Sequence, residues 1–412
     1  MRTAAPKRRR RTRHAGRRRT SWRHARRVIP PLDPDPEMYE ELLDEKVAEV
    51  QDILGVHLGS VPLHVVPSPP LHHRSRMKNA LYRTSDGRWA FKVLDPDTRI
   101  PVPIYQCPFA SERVNELMSG LLEGLSADPV LRAGLIATEL MSNSDGEGLV
   151  SLSYARNLSA DFVEEALAPL TARLGAVGVI ARARRQRLFV GRDHLVQWHN
   201  VADGRYPQII LENSFSQSNL HTCREMLEWV TAQTRPPEPG ARHDLLELCC
   251  GNGNFTLPLA ANFRRVLATE RDKRSVGSAR RCAERAGISN AVFARLKTCE
   301  VAEALRGDRT FRRLREAGVD LAEYDFGTVL VNPPRAGLER EAVRVIGRLG
   351  RCVYVSCSPR TLARDLANLP HHYVSAATLF DQFPYTSHAE VGVVLDRRAG
   401  PLPLEPKRKA AW

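Results

Sequence analysis

The sequence predicts an α/β protein in two unequal parts. A Rossmann-like domain, with a parallel sheet covered by helices, fills the C-terminal half, and a smaller α+β domain precedes it. Three observations carry this. Four short, nearly continuous apolar runs, "LLELCC" (245–250), "RVLATE" (265–270), "GTVLVNPP" (327–334) and "RCVYVSC" (351–357), are separated by helical patterns such as "RSVGSARRCAERAG" (274–287). Apolar strands that alternate with helices belong to parallel sheets buried on both faces. Upstream, strand and helix signals mix without that alternation, as in an α+β unit. A chain of 412 residues is also too long for one simple core.

In chain order, residues 1–36 read as a basic disordered arm, because residues 1–32 hold 13 Lys and Arg and no acid. "EMYEELLDEKVAEVQDIL" (37–54) places apolar residues at 43, 47, 50 and 54, which predicts a helix within 37–59. "VPLHVVPSPPLHH" (61–73) reads as a Pro-rich loop. Short strands are expected over 80–105, around the turn "SDG" (85–87). "SERVNELMSGLLEGL" (111–125) is an amphipathic helix, apolar at 114, 117, 118, 121, 122 and 125. Residues 60–205 are assigned to the α+β domain. "TRPPEPGARHD" (234–244) is loop-like, 206–400 forms the catalytic domain, and 401–412 is a tail.

The formal net charge of +14 suggests a nucleic-acid partner, but its distribution qualifies that. Beyond residue 32 the chain carries 48 bases against 47 acids. The arm therefore has three readings: an electrostatic arm for RNA, an organelle transit peptide, or a dispensable extension. No apolar run is long enough to span a membrane. The eight cysteines show no disulfide-framework spacing, and the upstream half holds only Cys107, so no metal or Fe–S site is expected. A cytoplasmic protein follows, or an organellar one if the arm is a transit peptide.

Unusual residues gather at the ends of the predicted strands, where open α/β sheets bind ligands. Gly251-Asn252-Gly253 allows a tight turn and close backbone approach. A turn alone would need no more. Glu270, 19 residues after Gly251, closes the next strand and can accept from both ribose hydroxyls. Thr256 replaces the third glycine of a dinucleotide fingerprint, so the pair reads as a site for S-adenosylmethionine. Asn332 precedes two stiffening prolines, which could also be a plain Pro-rich turn. Cys357 lies ahead of Ser358, a good N-cap, and Pro359, pre-shaped for a first helical position. A helix N-terminus favours a thiolate, which points to a nucleophile rather than a core cysteine. Glu390 stands just before an apolar strand, with Phe383, Tyr385 and His388 nearby; a solvated surface carboxylate is the bland alternative. A thiol with a separate carboxylate suits addition to a ring followed by proton removal.

From Tyr39 to Leu395 the chain resembles the tRNA (uracil-5-)-methyltransferases, which make the T-loop 5-methyluridine. The resemblance rests on "SRMK" (75–78), "ENSFSQSN" (212–219), "LLELCCGNGNFTLPLA", "RVLATE", "NPPRAGL", "YVSCSPRTL" and "LFDQFPYTSHAEVGVVL", in family order. It implies that Cys357 attacks C6 of a tRNA uracil at position 54 and that Glu390 removes the C5 proton. It also implies that Gln217, Cys249, Asn254, Glu270 and Asn332 surround S-adenosylmethionine. Three positions depart from the pattern: Asn332 stands where the family has Asp, Cys249 where it has Tyr, and Ser358 where Asn is usual. A monomer acting on tRNA is expected, with the RNA gripped by the 60–205 domain. The competing readings are an rRNA uracil-5-methyltransferase, an amino-group methyltransferase that would not need Cys357, and an RNA-binding or RNA-folding protein with a weakened cofactor site.

Overall fold

A computed structural model describes residues 33–95, 98–238 and 242–398. The basic arm through residue 32 and the tail from residue 401 lie outside them.

The C-terminal half forms an eight-stranded sheet. Its spatial order is Leu63–Val66, His372–Phe380, Glu390–Arg397, Arg351–Ser356, Phe326–Val331, Asp244–Leu248, Val266–Glu270 and Ala291–Arg295. Only Glu390–Arg397 runs antiparallel to its neighbours. All five residues of Asp244–Leu248 are buried, as expected of a strand covered on both faces. The strand order reverses between Asp244–Leu248 and Phe326–Val331. That reversal opens a crevice at the carboxyl edge of the sheet.

The smaller part is a seven-stranded sheet running from Pro101–Ile104 at one edge, through Arg76–Arg83 and Leu135–Ser142, to Gln186–Gly191 at the other. Helix Glu112–Ala127 covers it. Ser111 caps this helix by accepting from the Val114 N–H at 3.2 Å, and Val114, Leu117, Met118, Leu121, Leu122 and Leu125 are buried. Each such side chain contributes about 1.5–3 kcal/mol of burial.

The expected 60–205 unit is divided differently in the structure. Leu63–Val66, read as part of a loop, pairs in parallel with Ala377–Phe380 and extends the large sheet. The hairpin His194–Val201 and Gly204–Leu211 sends Val196, Val201 and Ile209 into the core of the catalytic half. The N-terminal helix, Pro36–Leu58, also joins that half through Val50, Leu54 and Leu58. Asp244, read as the end of a loop, begins a strand. It is fully buried and paired with Arg264 at 2.6 Å. Among the described residues no helix is long and apolar enough to cross a membrane.

Candidate active site

Strand register brings the singled-out residues together. Leu248 lies beside both Thr269 and Val331, so Cys249, Glu270 and Asn332 leave adjacent strand ends. Ser356 pairs with Val391, and Phe380 pairs with Glu390. Cys357 and Glu390 therefore emerge side by side at the same edge. A cleft of about 1270 Å³ opens there. It is lined by Gln217, Cys249, Asn254, Glu270, Asn332, Cys357 and Glu390 together.

One end of the cleft is a backbone cradle. Cys249, Gly251 and Gly253 all have positive φ, at 61°, 57° and 83°. A side chain on Gly251 would meet nothing within 4 Å, whereas one on Gly253 would come within 3.2 Å of the Ala279 Cβ. Gly253 thus packs the turn onto helix Lys273–Arg285, while Gly251 leaves open space over the cleft. Glu270 is held facing that space: the Gly251 N–H donates to Oε2 at 3.2 Å and the Asp272 N–H to Oε1 at 2.8 Å. Each carboxylate oxygen keeps a further lone pair for a hydroxyl. Asn254 donates to the Cys223 Sγ at 3.5 Å, and Cys249 lies 3.7 Å from the Thr298 Oγ1. An open cradle with an oriented acid fits the adenosine part of S-adenosylmethionine. Among the described residues no three His, Cys, Asp or Glu side chains group to hold a metal ion.

At the other end lie the thiol and the second carboxyl. Ser358 accepts from the Thr361 N–H at 3.4 Å and caps helix Pro359–Ala367, so Cys357 sits just outside a helix start. Its ionisation differs from the sequence expectation. Burial pushes the thiol up to about 11, the Glu390 carboxyl adds to the rise, and the Arg335 guanidinium opposes it. Burial alone drives Glu390 up to about 8. Its Oε2 has no hydrogen-bond partner, and the side chain is 2% exposed. Glu390 is no solvated surface group: at neutral pH it holds a proton that it gives up just above neutrality.

Several cleft residues escaped the sequence reading. Phe215, 75% exposed, offers an aromatic face at the cleft. Arg335 donates to the Nδ1 of His388 at 3.2 Å, which leaves the His388 proton on Nε2. Gln382 is buried at the cleft wall. An exposed aromatic in the polar run "ENSFSQSN" was the available signal for Phe215; Arg335 and Gln382 stood inside quoted motifs without distinguishing features. Tyr385 turns away, buried against Tyr39 and Phe109 with ring centroids 5.5 and 5.2 Å distant.

The family described as tRNA (Uracil-5-)-methyltransferase matches residues 38–398. A tRNA/tmRNA (uracil-C(5))-methyltransferase of Chromohalobacter salexigens is 43% identical over 370 residues, covering 89% of this chain and 97% of the relative. The Azotobacter vinelandii protein of the same description is 42% identical, covering 88% and 98%. The Pyrococcus abyssi tRNA (uracil-54, C5)-methyltransferase, solved in complex with S-adenosyl-L-homocysteine, superposes with a TM-score of 0.66 at 22% identity. That alignment covers 87% of this chain and 83% of the archaeal one, and supports the fold.

Proposed function

The chain belongs to the tRNA (uracil-5-)-methyltransferase family, and we propose that it methylates C5 of the uridine at position 54 in the tRNA T-loop, a position named for the archaeal structural neighbour. It is a methyltransferase that uses S-adenosylmethionine and acts on uridine in tRNA. The names of its bacterial relatives favour tRNA and tmRNA over the rRNA reading. A tRNA substrate is consistent with work in the cytoplasm. The observation that carries the mechanistic reading is the emergence of Cys357 and Glu390 side by side in the cleft that holds the glycine cradle.

When bound, S-adenosylmethionine supplies an electrophilic methyl group, and Gly251, Glu270 and the neighbouring Gln217, Asn254 and Asn332 would hold it. Uracil C5 is a poor nucleophile until C6 is saturated. Cys357, partly exposed in the cleft, gives its proton to water, its Sγ bonds to C6, and the displaced π pair moves onto the C4–O4 enolate. Enolate density then makes C5 nucleophilic toward the methyl group. Afterwards the ionised form of Glu390 takes the C5 proton, the freed pair re-forms C5=C6, and the Sγ–C6 bond breaks with its pair returned to sulfur. Reaching C6 requires the base to leave its stack, which costs least in a loop, and Phe215 is placed to stack against it. Arg335 is the cationic group that favours the Cys357 thiolate.

The test is incubation with an unmodified tRNA transcript and labelled methyl donor, followed by nucleoside analysis. Label in 5-methyluridine is expected. Label in a methylated adenine or guanine, or none in RNA, would refute the proposal.

A further inference from the structure

Resting on the uridine reading above, the attack of Cys357 leaves a demand that the assigned residues do not meet. Once Sγ has bonded to C6, negative charge resides on O4, and in a buried site a preorganised donor lowers that barrier most.

Gln382 follows strand His372–Phe380 and borders the cleft, with its backbone N–H donating to Phe380 O at 2.8 Å. The residue is 1% exposed. The Thr222 hydroxyl donates to Gln382 Oε1, which fixes the amide orientation. Its Nε2 is buried with no hydrogen-bond partner. A buried amide donor without an acceptor costs about 1–3 kcal/mol. Phe380 pairs with Glu390, so this donor lies at the same sheet edge as the unpartnered Glu390 Oε2.

We propose that Gln382 is a catalytic residue whose Nε2 donates to O4 of the target uracil and stabilises the enolate formed by Cys357. The electron pair that leaves C5=C6 is held at O4 against this N–H, then returns through C4 to C5 as C5 takes the methyl group, whose former bonding pair stays with the donor's sulfur. The same donor selects uracil over cytosine. Cytosine places an amino group at C4, and two donors would face each other there.

Gln382→Met keeps the side-chain length and removes the donor. Thr222 is not orphaned, because its hydroxyl also reaches Asn219 O at 3.4 Å. Under single-turnover conditions with saturating tRNA and cofactor, Gln382→Met is expected to slow methyl transfer by about 10²–10³-fold. Affinity for tRNA should remain that of wild type, and the melting temperature should hold or rise, because the unpartnered buried donor is gone. A rate within about threefold of wild type, or a fall matched by equal loss of tRNA affinity or of folding, overturns the proposal.

Gln382→Glu supplies a second readout. A neutral carboxylic acid can donate to O4, whereas a carboxylate repels the enolate. Glu390, Cys357, His388 and the Arg335 guanidinium line the same cleft, and Asp381, paired with Lys46, precedes Gln382 in the chain. The ratio of Gln382→Glu to wild-type rates should fall at least about tenfold between roughly pH 6 and pH 9. A Gln382→Glu rate equal to wild type at pH 9, where the carboxylate cannot donate, means that no donor is needed there, and the proposal fails. If wild type itself forms no 5-methyluridine, the uridine reading fails instead.

Discussion

Glu390→Gln should make the protein more stable while stalling it in mid-reaction. Burial raises the Glu390 carboxyl from 4.5 to about 8. The folded chain therefore holds this proton up to about pH 8, whereas the unfolded chain releases it near 4.5. Below about 4.5 both states are protonated and the group costs nothing. As pH rises from there to about 8, the unfolded state alone gains by ionising, and stability falls. At 1.36 kcal/mol per pH interval, wild type forfeits about 3 kcal/mol by pH 7. Gln cannot ionise and forfeits none of it. Melting curves across pH should show the variant and wild type together near pH 4.5, with the variant increasingly higher toward pH 8. Catalysis should move the opposite way. Gln cannot take the C5 proton, so the chain should add the methyl group and then remain bonded to tRNA through Cys357, visible as a slow band on denaturing gels. Wild-type turnover should rise as pH climbs toward 8 and Glu390 ionises. A variant less stable than wild type at pH 8 would refute the burial argument, and one that turns over normally would refute the assignment of the base.

Cys357→Ala should lower methyl transfer by at least ~10³-fold with tRNA affinity retained, because C6 can no longer be saturated; nucleoside analysis beside a tRNA-binding titration checks this. Asn332→Asp introduces the carboxylate that the family resemblance leads one to expect there and should preserve or raise the rate at fixed cofactor concentration. A clear loss would show a pocket adapted to the amide. Lys46→Met removes the partner of Asp381, a carboxylate that is fully buried and has no partner for Oδ2. Breaking such a pair costs about 3–5 kcal/mol, and Lys46→Met with Asp381→Asn should regain most of it in a thermal melt.

The strand ends were legible because each sits after a continuous apolar run, and a parallel sheet exposes its chemistry at one edge. Gly251, Glu270, Asn332 and Cys357 needed only local pattern to be found. What escaped depends on distant partners. Leu63–Val66 is flanked by prolines and looks like loop, yet its partner strand begins at His372. The Lys46 partner is 335 residues away, so a lysine on an amphipathic helix reads as solvated when it is in fact enclosed. The ionisation of Cys357 is hidden from the sequence for the same reason. A cap and a helix start can be read from "SCSPRTL", but the enclosure that raises the thiol comes from elements that close over it, among them the one bearing Glu390. Gln382 is a plain amide in the sequence. Only Thr222, from another helix, gives it an orientation.

The claim that Cys357 attacks the uracil can be tested by peptide mapping. Wild-type protein is incubated with S-adenosylmethionine and tRNA carrying 5-fluorouridine at the target position. Fluorine replaces the proton that Glu390 must remove, so the covalent adduct cannot resolve. Cys249, Cys250 and Cys357 all border the cleft, so the site of attachment discriminates among real alternatives. The account predicts a single nucleotide-bearing, methylated adduct on the peptide containing Cys357. Attachment to Cys249 or Cys250, or methyl transfer to ordinary tRNA with no adduct on any cysteine, would contradict it.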